Sequence, residues 1–193
     1  MKKDIILAGV GGQGILSIAA VIGYAAVEAG LYLKQAEVHG MSQRGGDVQS
    51  HLRLSDKEIA SDLIAHSSAD MIISVEPMES LRYLPFLSNE GWIITNTKPF
   101  INIPNYPEEE KVLAEIKKQP KHIAIDAETI AADLGSAKAA NMVILGAASP
   151  FLDMDFEKLK NAIKSIFGKK GDDVVELNIN AIEAGRKFAQ ENK

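Results

Sequence analysis

Four glycines within the hexapeptide Gly9-Val10-Gly11-Gly12-Gln13-Gly14 limit what this chain can become more than any other feature. They follow Ile5, Ile6, Leu7 and Ala8 in the stretch Asp4 to Val10, an unbroken apolar run of the kind found in strands of a parallel sheet. They precede a stretch from about Gly14 to Ala29 that reads as a helix stopped by Gly30. Strand, glycine turn and helix in that order open a βαβ unit. The spacing of Gly9, Gly11 and Gly14, with Gly12 in addition, satisfies the dinucleotide fingerprint. Glycines let backbone approach a ligand, and a helix N-terminus offers unpaired N–H groups and a positive dipole end. A phosphate, pyrophosphate or carboxylate would fit there. The same turn also serves where a helix simply packs close on a sheet.

The rest of the chain continues the alternation. Leu31 to Val38 reads as a strand. Asp47 to Leu54 reads as a half-exposed strand, because Val48, Leu52 and Leu54 stand among polar residues. Asp70 to Val75 is a buried strand, and Pro77 opens the next helix at a favoured position. Gly91 to Thr95 and His122 to Ile125 are further strands, separated by an irregular segment from Pro99 to Pro107 and a charged helix from Glu108 to Lys118. Beyond them the pattern turns helical. Asn141 to Ala148 is apolar on every side, Asp155 begins a helix reaching Phe167, and Asp172 or Asp173 caps a last helix. The expected fold is α/β, a Rossmann-like three-layer sandwich with a mostly parallel sheet and C-terminal helices, formed by residues 1–193 as a single domain.

Composition removes several functions. The 193 residues carry a formal net charge of −5, which lacks the positive field that nucleic acid demands and disfavours an anionic membrane surface. The start Met1-Lys2-Lys3 resembles a signal peptide, but Asp4 and the glycines interrupt it. Ile15 to Val27 is too short to span a bilayer comfortably. With no cysteine, the chain alone makes no disulfide, thiolate zinc site or cysteine-held iron–sulfur cluster. His51, His66 and His122 have no ligand spacing, so no metal site is expected.

The run Glu37-Val38-His39-Gly40-Met41-Ser42-Gln43-Arg44-Gly45-Gly46 contains little that packs a core. Arg44 offers a planar, permanently charged fork for carboxylate or phosphate. Gly45 and Gly46 let backbone approach a ligand or another chain. His39 is the candidate acid or base, since its ordinary pKa lies near 6.5. Glu37 stands near the place where a dinucleotide-binding protein puts its ribose-binding carboxylate; it could instead pair with Arg44 or cap local backbone. Both loops are expected at the carboxyl ends of strands, where open α/β sheets bind ligands, with Glu76, Asn96, Thr97 and Asp126 behind them. These four serve equally well as caps of following helices. The Pro99–Pro107 segment, with Phe100, Ile101, Ile103 and Tyr106, suits either a partner-facing surface or a loop packed on its own domain.

Together the glycine loop and the second loop resemble the gamma subunits of the 2-oxoacid:ferredoxin oxidoreductases, and within them the indolepyruvate branch. The resemblance spans nearly the whole chain, including the strand ending in Glu76-Pro77, the segment Asn141 to Ala147 and the last helix. The His39-Gly40-Met41 form is similar to the arylpyruvate branch, and Ser42 departs from it, standing where that branch often has alanine. The resemblance implies a non-autonomous subunit of a complex that decarboxylates a 2-oxoacid oxidatively to acyl-CoA, with ferredoxin as acceptor. It implies thiamine diphosphate, magnesium and iron–sulfur clusters on a large, cysteine-rich partner, coenzyme A as co-substrate, and a cytoplasmic location. The isolated chain is then inactive. Gly9, Gly11, Gly12, Gln13 and Gly14 would form, with Glu37, His39, Gln43, Arg44, Gly45 and Gly46, one wall of a composite site. The alternative is a stand-alone NAD- or FAD-binding Rossmann oxidoreductase, or a nucleotide-binding scaffold, which leaves the arginine loop unexplained.

Overall fold

A computed structural model describes residues 1–39 and 45–193, with His39 described by its backbone alone. In chain order the elements are β1 (Lys2–Val10), α1 (Ile15–Glu28), β2 (Tyr32–His39), β3 (Asp47–Ser55), β4 (Ala69–Ser74), α2 (Pro77–Arg82), β5 (Leu87–Asn96), α3 (Glu109–Lys117), β6 (His122–Ile125), α4 (Ala127–Asp133), α5 (Ala140–Ala148), α6 (Phe156–Phe167) and α7 (Asp172–Glu191). The six strands form one sheet in the order β2-β3-β1-β4-β5-β6. Strands β1, β4, β5 and β6 are mutually parallel. Strand β3 runs antiparallel to both of its neighbours, β1 and β2.

The position of β3 corrects one expectation. Its alternation suggested a half-exposed strand, yet it lies second from the edge with Ser50, His51, Leu52 and Leu54 buried. Pairing sets opposite residues on the same side, so Leu52 and Ser50 accompany Ile5 and Leu7 on one face. His51 and Gln49 accompany Ile6 and Ala8 on the other. His51 is covered from two places: the Ile64 N–H of the segment after β3 donates to its Nδ1 at 2.9 Å, and the Phe86 ring, just before β5, stands edge-on to the imidazole.

The first face carries the main core, where Ile5, Leu7, Met71 and Ile73 of the sheet meet buried residues of α1, α4, α5, α6 and α7. The second face is thinner, with Ile6, Ala8, Ile72, Ile64 and Tyr83 in contact. It carries α2, which packs on β1, β4 and β5, with α3 against α2 and β6. The result is the three-layer, mostly parallel α/β arrangement, closed by helices from the C-terminal part of the chain. One cap differs from expectation: Gly171, at φ 105°, occupies the N-cap of α7, and Asp172 and Asp173 lie within its first turn. They complement the positive end of the helix dipole there.

Candidate functional site

The crossover through α1 leads from β1 toward the β2 edge, whereas those through α2 and α3 lead away from β1 toward β6. The direction changes between β1 and β4. In open α/β sheets a crevice opens outside the carboxyl ends of the strands at such a point. Here a cleft of about 750 Å³ is bounded by Gly12, Gly14 and Ser17, by Val75 and Asn96 at strand ends, by Ser136 to Asn141 before and within α5, and by Lys170, Val174 and Asn178 around the start of α7.

The glycine turn is braced from inside. Gln13 Oε1 accepts the Val10 N–H at 2.8 Å, and its amide nitrogen donates to the Val75 carbonyl at 3.4 Å. Gln13 thereby ties the turn to the end of β4. At Gly9 a Cβ would lie 2.4 Å from Val75 Cγ2, so close packing requires glycine there. Gly14 is the N-cap of α1 at φ 82°, and its carbonyl accepts the Asn141 side-chain amide at 3.1 Å. The Gly11 N–H donates to the Gly46 carbonyl at 2.9 Å, joining the two loops. Gly12, at φ 102°, has open space where a side chain would stand and lines the cleft.

Gly45 and Gly46 therefore sit beside the glycine turn. The Gly45 carbonyl accepts the Asn102 side-chain amide at 2.5 Å, which pins the base of the second loop to the proline-rich segment. Gln43 and Arg44 lie outside the described residues, as does the His39 side chain. Glu37 accepts from Gln35 Nε2 at 3.3 Å on β2. Because β3 intervenes, β2 is two strand spacings from β1, roughly 10 Å away, and Glu37 stands level with Ser50 and Leu7 rather than with the turn. The ribose carboxylate of a dinucleotide fold belongs beside the glycine turn, so the stand-alone NAD reading loses its geometric support.

The four residues set behind the loops lie at the ends of β4, β5 and β6. Glu76 is fully buried and caps α2, accepting the Glu79 N–H at 2.8 Å. Its other oxygen accepts the Phe100 N–H at 3.3 Å and the Tyr106 hydroxyl, so one carboxylate holds the proline-rich segment against the sheet. Burial, with the adjacent Glu76 charge, pushes the Tyr106 hydroxyl far above its ordinary pKa. Asn96 Oδ1 accepts the Ala127 N–H at 3.2 Å at the start of α4. Asp126 caps that helix through the Thr129 N–H at 3.0 Å and lies 3.4 Å from Lys98. Burial raises the Asp126 pKa, but the Thr129 and Lys98 hydrogen bonds outweigh it and hold the carboxyl below its usual range. The Thr97 N–H donates to the Ile125 carbonyl at 3.0 Å.

The cleft also brings in residues that no sequence motif marked. Lys138 and Lys170, both exposed, are its lysines, against one carboxylate at Glu128. Ser136, Asn141 and Asn178 add neutral hydrogen-bonding groups. A lining with two cations, several amides and glycine backbone suits a polyanionic ligand with an apolar body resting near Val75, Phe100, Ile144 and Val174. Among the described residues no group of three or more His, Asp or Glu side chains gathers as metal ligands. The residues present do not fit an iron–sulfur cluster, which needs cysteine.

The family model described as pyruvate ferredoxin/flavodoxin oxidoreductase matches residues 4–188. The indolepyruvate oxidoreductase subunit IorB of Archaeoglobus fulgidus is 37% identical, with 96% of this chain and 94% of that protein covered. IorB of Pyrococcus horikoshii is 36% identical, with 99% and 98% covered. Among solved structures, the pyruvate oxidoreductase subunit PORC of Thermotoga maritima superposes with a TM-score of 0.73 at 21% identity, with 96% of each chain covered. A 2-oxoglutarate:ferredoxin oxidoreductase from Magnetococcus marinus, with 2-oxoglutarate, coenzyme A and succinyl-CoA bound, superposes with a TM-score of 0.79 at 23% identity. It covers 98% of this chain but only 31% of that longer one. These two structures share the fold. The end-to-end sequence matches go further: the chain belongs to the pyruvate ferredoxin/flavodoxin oxidoreductase family.

Proposed function

We propose that residues 1–193 act as one gamma-type domain, the non-autonomous small subunit of a cytoplasmic complex that oxidatively decarboxylates an arylpyruvate, indolepyruvate foremost, to its acyl-CoA with ferredoxin as electron acceptor. The observation that carries this reading is the match over almost the full length of both chains with IorB subunits. Two properties of the chain agree with a subunit role. It has no cysteine with which to hold a cluster. Among the described residues its cleft is lined by glycine backbone, amides and lysines, with a single carboxylate and no paired acid and base.

Thiamine diphosphate, magnesium and the iron–sulfur clusters then belong to a large, cysteine-rich partner and would supply the decarboxylation and electron-transfer chemistry there. This chain's own contribution is binding and positioning. Lys138, Lys170 and the N–H groups around Gly12 and Gly14 would hold the phosphates of coenzyme A, and Ser136, Asn141 and Asn178 would orient its polar stem. Arg44 would supply a fixed positive charge for a carboxylate or phosphate. Gln43 and His39 would orient the ligand or seal the contact with the partner.

The deciding experiment is anaerobic affinity purification of the tagged chain from its native cell. The eluate is assayed for iron, thiamine and indolepyruvate-dependent reduction of a viologen dye. The expected result is a stoichiometric iron- and thiamine-bearing partner with that activity. A monomeric, iron-free eluate that binds NAD or FAD tightly would replace the subunit reading with a stand-alone one.

A further inference from the structure

Helix α1 is apolar on every side. From Ile5 to Val27 the chain has no charged residue at all, although Asp, Glu, Lys and Arg make up 24% of it. A helix of that kind belongs in an interior. Its inward face is buried, with Ile15, Ile18, Val21 and Ile22 in the main core. Its outward face is not: Leu16 is 54% exposed, Tyr24 45% and Val27 62%, and Ala20 between them is exposed too. Spacings of three and four place all four on one stripe of the helix. The other large exposed apolar residues, such as Leu63, Ile101 and Leu134, stand on separate segments, as ordinary surface residues do.

Resting on the subunit reading above, we infer that the Leu16–Ala20–Tyr24–Val27 stripe of α1 is the seat of the larger partner subunit, which covers it with an uncharged apolar surface. Three observations choose this occupant. The stripe starts beside the rim of the cleft, since Leu16 adjoins Ser17, which lines it with Gly14, so a partner that completes the cleft along its glycine rim would also meet the stripe at Leu16. In the Magnetococcus enzyme the same fold is 31% of a longer chain, and in the ketoisovalerate oxidoreductase subunit VorA of Methanothermobacter thermautotrophicus the matching region is 36% of the protein. This fold therefore has large neighbours in those proteins. Lastly, the stripe is only about 16 Å long at 1.5 Å per residue. That is too little for the roughly 800 Å² per partner of a stable symmetric pair, but it suits one part of a contact that continues across the cleft rim.

The test uses the complex co-purified with its partner. Val27→Glu and Tyr24→Glu each place a charge on the stripe, and Leu63→Glu is the control on a separate surface. Both stripe variants are expected to melt as the wild type does and to bind the partner at least a hundredfold more weakly in a sedimentation titration, while Leu63→Glu binds normally. Partner binding within threefold of wild type by both stripe variants overturns the inference and leaves the subunit reading standing. A wild-type chain that dimerises alone, with a dimer that Val27→Glu splits, reassigns the stripe to a second copy. A wild-type chain that captures no thiamine-bearing protein removes the subunit reading itself.

Discussion

Gly12 and Gly14 share positive φ angles but not a neighbourhood. An alanine Cβ at Gly12 meets nothing within 4 Å, whereas at Gly14 it would lie 2.5 Å from the Asn141 amide. Gly12→Ala should therefore cost only the backbone strain, about 1–2 kcal/mol. Gly14→Ala should cost about 1 kcal/mol more, through the lost Asn141 hydrogen bond. Denaturant midpoints of the two variants check the order. His51 gives a second prediction at this scale. Burial pushes its pKa down, Arg53 adds to this, and Asp62 opposes it. The unfolded chain, with a histidine pKa near 6.5, therefore binds a proton at pH values where the folded chain does not. Stability should fall as pH drops below about 6.5 and level off once the folded value is passed. His51→Gln, which can still accept the Ile64 N–H, should flatten that part of the stability–pH curve. The fingerprint spacing was visible in the sequence at Gly9, Gly11 and Gly14. Their separate reasons were not, because Val75 and Asn141 come from distant parts of the chain.

Helices α5 and α7 cross at two glycines. A Cβ on Gly185 would lie 1.9 Å from the Val143 carbonyl oxygen, and one on Gly146 would lie 2.1 Å from that of Ile182. Backbone stands on both sides of the crossing, so no side chain can yield. Gly185→Ala should destabilise by about 3 kcal/mol or more, measurable as a fall in melting temperature with the far-ultraviolet spectrum retained. Tyr106→Phe tests the proline-rich segment: loss of its hydroxyl to Glu76 should cost about 1–2 kcal/mol and speed proteolysis near residue 101. Strand and helix positions were largely legible because hydrophobic runs and caps are local signals. Pro77 at the start of α2 and Asp155 at the N-cap of α6 are examples. What local signals omit is who lies beside whom. The polar side of β3 looked solvent-facing until the segment after it folded over His51, and Lys138 and Lys170 converge on the cleft from separate connections with no shared motif.

For the whole molecule, the subunit reading makes function depend on a partner, and the arginine loop is where that dependence should be sharpest. Arg44→Ala is expected to leave melting and assembly unchanged and to lower turnover of the complex at least tenfold, as loss of a bidentate anion contact would. Wild-type turnover in that variant would remove the role assigned to Arg44. The placement of β3 bears on this loop in another way. Because β3 returns antiparallel between β2 and β1, residues 40–46 connect two hydrogen-bonded neighbours, with His39 paired to Val48 and Val48 to Gly9. Both ends of the segment are thus set by sheet pairing, and the second is held further by the Gly45 and Gly46 carbonyls. Doubling the length of such a connection costs only about 0.6 kcal/mol in closure entropy. A connection so anchored is in effect a replaceable cassette: its length and chemistry can change while the register of the sheet stays where it is.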